Sequence, residues 1–298
     1  LKAHTTYTKG MKKSFPILLV MIFFGFATFH AQAEIPPIPT ISFSPTTIIQ
    51  GDPIMVSTTS DSAPTKLFFD EKAFPLIAHG GGYRAFIPVD INGKAGVHSV
   101  TITFADGQTL SKTIEVGARK KIEAPLGIPA KLGGNTPAAA TSLVSTLSKE
   151  NALLANLRTG THAFWTKPFV SPLAKLTVTD PYGYSRQTGQ YSIAHKGTDF
   201  RAPTGTSVMS MNRGVVRVAR TFTVYGKTVV IDHGFGLQTM YLHLSKINVN
   251  EGQLVLPGQV IGLSGMTGYA EVPHLHVSIK INGTSIDPMT FMGFFGIK

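Results

Sequence analysis

The sequence predicts a mainly β protein with an N-terminal immunoglobulin-like sandwich, a linker helix and a C-terminal antiparallel β domain. Two observations support this prediction. Short runs rich in β-branched and aromatic residues recur between glycine-containing turns in both halves of the chain. A segment between the halves has leucines at helical spacing instead.

Residues 1–33 have the composition of a leader with an export signal. A basic stretch after Met11, the plausible initiator, precedes an apolar run over 15–29, and Ala31-Gln32-Ala33 has the pattern of a signal peptidase site. The run is shorter than the ~20 residues of a spanning helix. We therefore expect cleavage after Ala33 and export to the periplasm, cell envelope or medium. An uncleaved membrane anchor is the alternative.

Composition limits the partners and the chemistry of the mature chain. Removing the four leader lysines from 27 basic residues leaves 23 against 16 acidic residues, a net charge of +7 with histidine neutral. A basic exported protein suits anionic wall polymers. No nucleic-acid-binding motif is present. The absence of cysteine excludes disulfides, thiolate metal sites and cysteine nucleophiles.

Residues 34–117 are predicted to form the immunoglobulin-like sandwich. Short strands separated by turns over about eighty residues are typical of that architecture. The stretch 100–116 has the pattern of a hairpin bent at Asp106-Gly107. His79 and His98 are far apart in this region, and we interpret both as surface or turn residues.

Residues 118–175 are predicted to be a linker followed by an amphipathic helix. The first part is rich in proline, glycine and alanine. Thr136 is a plausible N-cap with Pro137 at the first helical position, and Gly160 can end the helix. We expect three aromatic residues to dock the segment onto the next domain. The expected packing leucines and docking aromatics are Leu143, Leu147, Leu154, Leu157, Phe164, Trp165 and Phe169.

Residues 176–298 are predicted to form the C-terminal β domain, without a helical period. The stretch 229–241 reads as a hairpin bent over 232–236, and His233 is expected to serve that turn. Alternation in "VPHLHVSIK" places Leu275, Val277 and Ile279 on one face of a strand. His274, His276 and Ser278 are then on the other face.

Two further clusters carry similar side chains. In "HKGTDF", His195 and Asp199 are four residues apart, which places them on one face of an extended segment, and Gly197 argues against a helix. In "YLHLS", strand parity predicts that His243 shares a polar face with Tyr241 and Ser245. Leu242 and Leu244 would then face the core.

These clusters supply the ligand types of a catalytic zinc site. Three nitrogen or oxygen ligands, one of them a carboxylate, suit zinc with a water in its fourth position. A zinc hydrolase also needs a base and an oxyanion donor. No H-E-x-x-H motif supplies a glutamate, so the two spare histidines are the natural replacements. Parity does not separate His274 from His276.

The same motifs resemble those of the lysostaphin-type (LytM-like) zinc metalloendopeptidases, which cut peptide bonds in bacterial peptidoglycan. The resemblance covers residues 177–288 and includes H-x-x-x-D, Y-x-H-L-S and H-x-H in this order. It implies a compact antiparallel β metallopeptidase domain with a groove over the metal. The upstream sandwich and helix also resemble the N-terminal half of some envelope members.

The resemblance also implies a role for each site residue. The implied zinc ligands are His195, Asp199 and His276. His243 and His274 would be the catalytic pair, with His243 as the general base and both rings able to stabilise an oxyanion.

This sequence departs from the family's pattern at two places, and both concern the groove rather than the metal. Many relatives have Gly-Pro before H-x-H, where this chain has Val272-Pro273 after a loop that contains Tyr269 and Glu271. The aromatic or acidic residues often found after H-x-H are replaced by Val277-Ser278. We expect the loop over 268–273 to influence substrate choice.

The sequence favours an active peptidoglycan endopeptidase because all five positions are filled. The alternative is a non-catalytic envelope scaffold that binds wall peptides in the same groove or regulates an amidase. A third interpretation, a zinc amidase that cuts the sugar–peptide bond, stays open because such an enzyme would use the same ligands.

Overall fold

The N-terminal part of the protein is a sandwich of two β-sheets. The structure is a computed structural model that describes residues 39–298, so the predicted leader and its cleavage site lie outside the described residues. The strands are β1 (Thr40–Ser44), β2 (Ile48–Ile49), β3 (Pro53–Thr59), β4 (Pro64–Phe69), β5 (Lys72–Phe74), β6 (Ile77–His79), β7 (Gly82–Pro88), β8 (Gly96–Phe104) and β9 (Thr109–Gly117).

The two sheets enclose one aliphatic and aromatic core. Their strand orders are β1-β3-β7-β6 and β2-β9-β8-β4-β5. The predicted hairpin is confirmed as β8 and β9, with Gly107 at a φ of 84° in its turn. The immunoglobulin-like character of the sandwich stays a prediction. His79 is exposed as expected, whereas His98 is largely covered, stacking on Phe69 and contacting Asp70 at 2.7 Å.

The rest of the chain adds fourteen strands and two α-helices to this sandwich. They are β10 (Glu123–Pro125), α1 (Pro137–Ala155), β11 (Val178–Asp180), β12 (Ser185–Thr188), β13 (Tyr191–Ala194), β14 (Thr198–Arg201), β15 (Ser207–Met209), β16 (Gly214–Thr221), β17 (Lys227–Asp232), β18 (Leu237–Leu244), β19 (Lys246–Ile247), β20 (Leu254–Val255), β21 (Val260–Leu263), β22 (His274–Ile281), β23 (Thr284–Ile286) and α2 (Pro288–Gly293). A short 3-10 helix spans Ala130–Leu132. Within residues 39–298 no helix has the length and apolar character to cross a membrane.

Helix α1 begins where the sequence predicts but ends earlier than Gly160. The Thr136 side chain accepts a hydrogen bond from the Ala139 amide, and Pro137 opens the helix. At the other end the Asn156 side chain donates to the carbonyl of Ala152. That bond competes with the helical pattern, and Gly160 instead donates its amide to Asp232.

The C-terminal part is built on an eight-stranded sheet, which confirms the predicted mainly β fold. Seven strands have the order β11-β14-β22-β18-β17-β16-β20, and β23 pairs with β22. The predicted hairpin is confirmed as β17 and β18. The alternation in β22 is also confirmed, because Leu275, Val277 and Ile279 lie in the main core. The sequence does not predict the short helix α2, since its six residues are fewer than two helical turns and too few to show a period.

Aromatic side chains join the segment after α1 to the C-terminal core, as predicted. Trp165 and Phe169 are buried, and their rings are 5.5 Å apart. Phe169 also contacts Phe291 of α2 at 5.1 Å, and Phe86 of β7 contacts both Trp165 and Phe291. The sandwich, the linker and the C-terminal sheet therefore share one apolar cluster.

Candidate metal centre and catalytic pair

His195, Asp199 and His276 come together on one face of the C-terminal sheet. Asp199 on β14 and His276 on β22 are direct cross-strand partners, so the register of the sheet places their side chains side by side. His195 follows the end of β13, where its amide donates to the carbonyl of Tyr184. All three residues are buried.

The donor atoms of these residues suit a single metal ion. Nε2 of His195 lies 3.2 Å from Oδ1 of Asp199 and 3.1 Å from Nδ1 of His276, and the last two atoms are 2.7 Å apart. Divalent metals such as zinc bind nitrogen and carboxylate oxygen at about 2.0–2.2 Å. Three donors about 3 Å apart can therefore contact the same ion, and the residues present fit such a group.

Hydrogen bonds assign the lone pairs of both imidazoles to the centre of this cluster. The carbonyl of Pro181 lies 2.9 Å from Nδ1 of His195 and can only accept, so a neutral ring has its lone pair on Nε2. Ser278 donates its hydroxyl to the carbonyl of Lys196, so its oxygen accepts from Nε2 of His276 at 2.8 Å. The lone pair of His276 is then on Nδ1.

The electrostatics of the cluster also favour metal binding. Burial raises the pKa of Asp199, but its close contacts with His195 and His276 outweigh burial and hold that pKa well below its usual value. Burial lowers the pKa of His276 to about 4, despite the opposing effect of Asp199. At neutral pH the cluster therefore contains a carboxylate and a neutral His276 ring. Arg186 contacts the outer oxygen of Asp199 at 2.6 Å and fixes its orientation.

Gly197 is required by the closeness of the His276 ring. A Cβ atom at this position would lie 2.3 Å from Nε2 of His276 and 2.6 Å from the carbonyl oxygen of Val277. The glycine in "HKGTDF" therefore lets β14 and the end of β13 approach β22. This close approach is its role here, besides disfavouring a helix.

His243 and His274 form a second pair next to the cluster. Their ring centroids are 4.9 Å apart, and Nε2 of His274 lies 3.7 Å from Oδ1 of Asp199. Each Nδ1 is 2.8 Å from a backbone carbonyl, that of Thr267 for His243 and that of Val272 for His274. Neutral rings therefore have their lone pairs on Nε2. Burial, followed by the charges of His274 and His276, lowers the pKa of His243 to about 3.

The strand parity predicted around His243 is wrong for Tyr241, whereas Leu244 faces the main core as predicted. Tyr241 and Leu244 lie in the main core. Leu242 lies on the other face of the sheet and is the cross-strand partner of His276. The reason is a β-bulge, because the register between β17 and β18 shifts here and His243 has a φ of 61°. A bulge inserts one residue and re-aims a side chain. The sequence offers no signal for it, since "YLHLS" alternates regularly.

Two side chains that support the ligands, and one buried histidine outside the cluster, differ in how visible they are in the sequence. Ser278 shares the strand face of His276, so parity could have identified it as a neighbour. Arg186 has no such signal, because β12 approaches Asp199 only through the folded chain. His233 is fully buried and bonds to the Arg213 carbonyl and to Thr239, which makes it a structural residue.

A cavity of about 940 Å³ adjoins both histidine groups. Leu143, Leu147 and Asn151 of α1 line one side of it. The Glu150 carboxylate holds this helix in place by accepting hydrogen bonds from the amides of residues 223–225 at 2.6–3.2 Å. The predicted helix therefore contributes a wall to the site.

The segment that contains the histidine groups is similar to known proteins. Residues 193–288 match the model of peptidase family M23. The chain is 48% identical over 95 residues to the peptidoglycan DD-endopeptidase ShyA of Vibrio cholerae, which covers 32% of this chain and 22% of ShyA. It is 36% identical over 122 residues to the DD-carboxypeptidase/endopeptidase Mpg of Neisseria meningitidis, which covers 41% of this chain and 28% of Mpg.

A solved structure resembles most of the described chain. The crystal structure described as a peptidase M23 from Pseudomonas aeruginosa has a TM-score of 0.61 and 25% identity, covering 83% of this chain and 96% of that one. The chain spans only about a quarter of the length of the curated relatives it matches. Because the family model matches the segment that contains the histidine groups, residues 193–288 are a peptidase family M23 domain.

Proposed function

We propose that this protein is a zinc-dependent endopeptidase that hydrolyses peptide bonds in the cross-links or stem peptides of bacterial peptidoglycan. The observation that carries the proposal is the convergence of His195, Asp199 and His276 beside the pair of His243 and His274. Two nitrogens and one carboxylate oxygen match a catalytic zinc site with an open position. The relatives named as peptidoglycan endopeptidases support the wall substrate.

The metal would be held by Nε2 of His195, Oδ1 of Asp199 and Nδ1 of His276. When bound, zinc supplies Lewis acidity and lowers the pKa of a coordinated water to about 7. The chain supports this site through the Pro181 carbonyl, Ser278 and Arg186. Such partners orient the ligands and fix their tautomers.

The catalytic pair would handle the proton and the developing negative charge. Nε2 of a neutral His243 accepts a proton from the attacking water, the carbonyl carbon gains the new C–O bond, and the C–N bond breaks. The same nitrogen returns the proton to the leaving amine. In its protonated form, His274 donates from Nε2 to the oxyanion.

Different outcomes for a ligand and a base test these roles. We expect His276→Ala to lose stoichiometric zinc, whereas His243→Ala keeps zinc and a folded spectrum but loses about 10²–10⁴-fold in turnover. Metal analysis of both purified variants, with peptide release measured in parallel, checks this. Zinc retained by His276→Ala and lost by His243→Ala would exchange the assigned roles.

The location follows from the same proposal. A peptidoglycan substrate requires export, and a leader removed after Ala33 would provide it. The intact mass of the envelope-associated protein should then match a chain that begins at Glu34. A mass that includes residues 15–29 would favour a membrane anchor instead.

A further inference from the structure

Basic side chains contribute to the lining of the cavity beside the histidines. Lys120, Lys196 and Lys280 line it together with the exposed acid Asp90. Apolar side chains of α1, β18 and neighbouring loops also line it. A peptide in this cavity would therefore meet both apolar and cationic surface.

Lys280 lies on the same strand as His276 of the metal centre, four residues further along. It lies on β22, and alternation along the strand places its side chain on the face of His276 and Ser278. Four residues of strand correspond to about 13 Å. Lys196 directly follows His195, and its carbonyl accepts the Ser278 hydroxyl. Both lysines are thus held close to the centre by the backbone that forms it.

Neither of these two ammonium groups is neutralised within residues 39–298. By contrast, the two arginines that line the cavity are paired with carboxylates. Arg119 pairs with Asp52 and Asp287, and Arg186 pairs with Asp180 and Asp199. No ion pair or hydrogen bond of the described chain includes the Nζ of Lys196 or Lys280. Burial, followed by the charge of Lys196, lowers the pKa of Lys280, as expected for a partly buried cation without a counterion.

We propose that Lys196 and Lys280 form a subsite for a carboxylate of the peptide substrate. The proposal rests on the proposed endopeptidase function and names what the cavity recognises beyond the scissile bond. The subsite favours an anion because Lys280 is partly buried without a counterion, and the exposed Lys196 adds a second positive charge beside it. The strand spacing sets the carboxylate about three to four extended residues from the reacting carbonyl.

The test compares two synthetic stem peptides that differ only in one group. One has a free carboxylate about three or four residues from the cleaved bond, and the other has the carboxamide. We expect the zinc-loaded chain to prefer the carboxylate peptide in kcat/KM by about tenfold. Lys280→Met should reduce that ratio towards one, mainly through KM, whereas Lys280→Arg should preserve much of it.

Lys246→Met is the matched control, because Lys246 is an exposed lysine of β19 that does not line the cavity. An equal ratio in the unchanged chain, or a ratio unaffected by Lys280→Met, would overturn the subsite. Inhibition by glycerol phosphate at concentrations where acetate has no effect would assign the lysines to phosphate and also overturn it. If neither peptide is cleaved, the endopeptidase proposal fails, and calorimetric binding of the same pair still decides the subsite.

Discussion

At the scale of single residues, the site depends on hydrogen bonds that leave one nitrogen of each histidine available. Four imidazoles lie close together, and each has a carbonyl or hydroxyl as its outer partner. The sequence predicted that these histidines share a region but could not separate His274 from His276. The separation comes from the register that sets His276, and not His274, opposite Asp199.

The Ser278 hydroxyl is expected to control the affinity of the metal site. In Ser278→Ala, Nε2 of His276 loses its acceptor and the ring loses its preference for a lone pair on Nδ1. Loss of such an outer partner typically costs about 10–100-fold in metal affinity. Competition with a zinc chelator measures it, with Ser111→Ala on exposed β9 as the control. Equal zinc affinity in both variants would contradict the tautomer assignment.

Gly197 tests the close approach of β22 to the preceding segment. A methyl group in Gly197→Ala would meet the His276 ring and the Val277 backbone, so we expect loss of zinc and of activity. Gly293→Ala is the control, because a Cβ there meets nothing within 4 Å. Normal zinc content in Gly197→Ala would show that the ring can move without losing its ligand role.

At the scale of elements, predictions succeeded where the hydrophobic period is regular. The core face of β22, both hairpins and the start of α1 follow directly from period and turn chemistry. The predictions failed where one residue interrupts a period. Asn156 ends α1 through its own side chain, and the bulge at His243 reverses the faces of Tyr241 and Leu242.

The docking of α1 depends on Glu150. Its carboxylate is buried and accepts from three consecutive amides, those of Thr223, Val224 and Tyr225. Glu150→Ala leaves these donors without their acceptor, and we expect a loss of about 2 kcal/mol in the free energy of unfolding. Urea denaturation measures this loss. Glu115→Ala on the exposed face of β9 should cost far less, and a similar cost in both would contradict the docking role.

At the scale of the whole molecule, buried histidine links stability to pH. Burial lowers the pKa of His233 from 6.5 to about 4 in the folded protein, so the unfolded chain binds the proton more readily. Stability is therefore full above about pH 6.5 and falls as the pH decreases towards 4. The difference corresponds to at most about 3 kcal/mol.

A comparison of variants isolates this contribution. We expect His233→Asn to be less stable at pH 7 but to lose less further stability between pH 7 and pH 5 than the unchanged chain. His79→Asn, at an exposed position, should leave the pH dependence unchanged. Urea midpoints at both pH values measure the effect, and identical pH slopes for the unchanged chain and His233→Asn would refute it.

The central claim is that the zinc-loaded chain hydrolyses peptide bonds in peptidoglycan. Mass spectrometry of purified sacculi after digestion tests it most directly, with a chelator-treated sample and Asp199→Asn as controls. The proposed chemistry predicts soluble fragments whose masses show one added water at a peptide bond, and none in the controls. Unchanged sacculi, or products cut only between sugar and peptide, would contradict it.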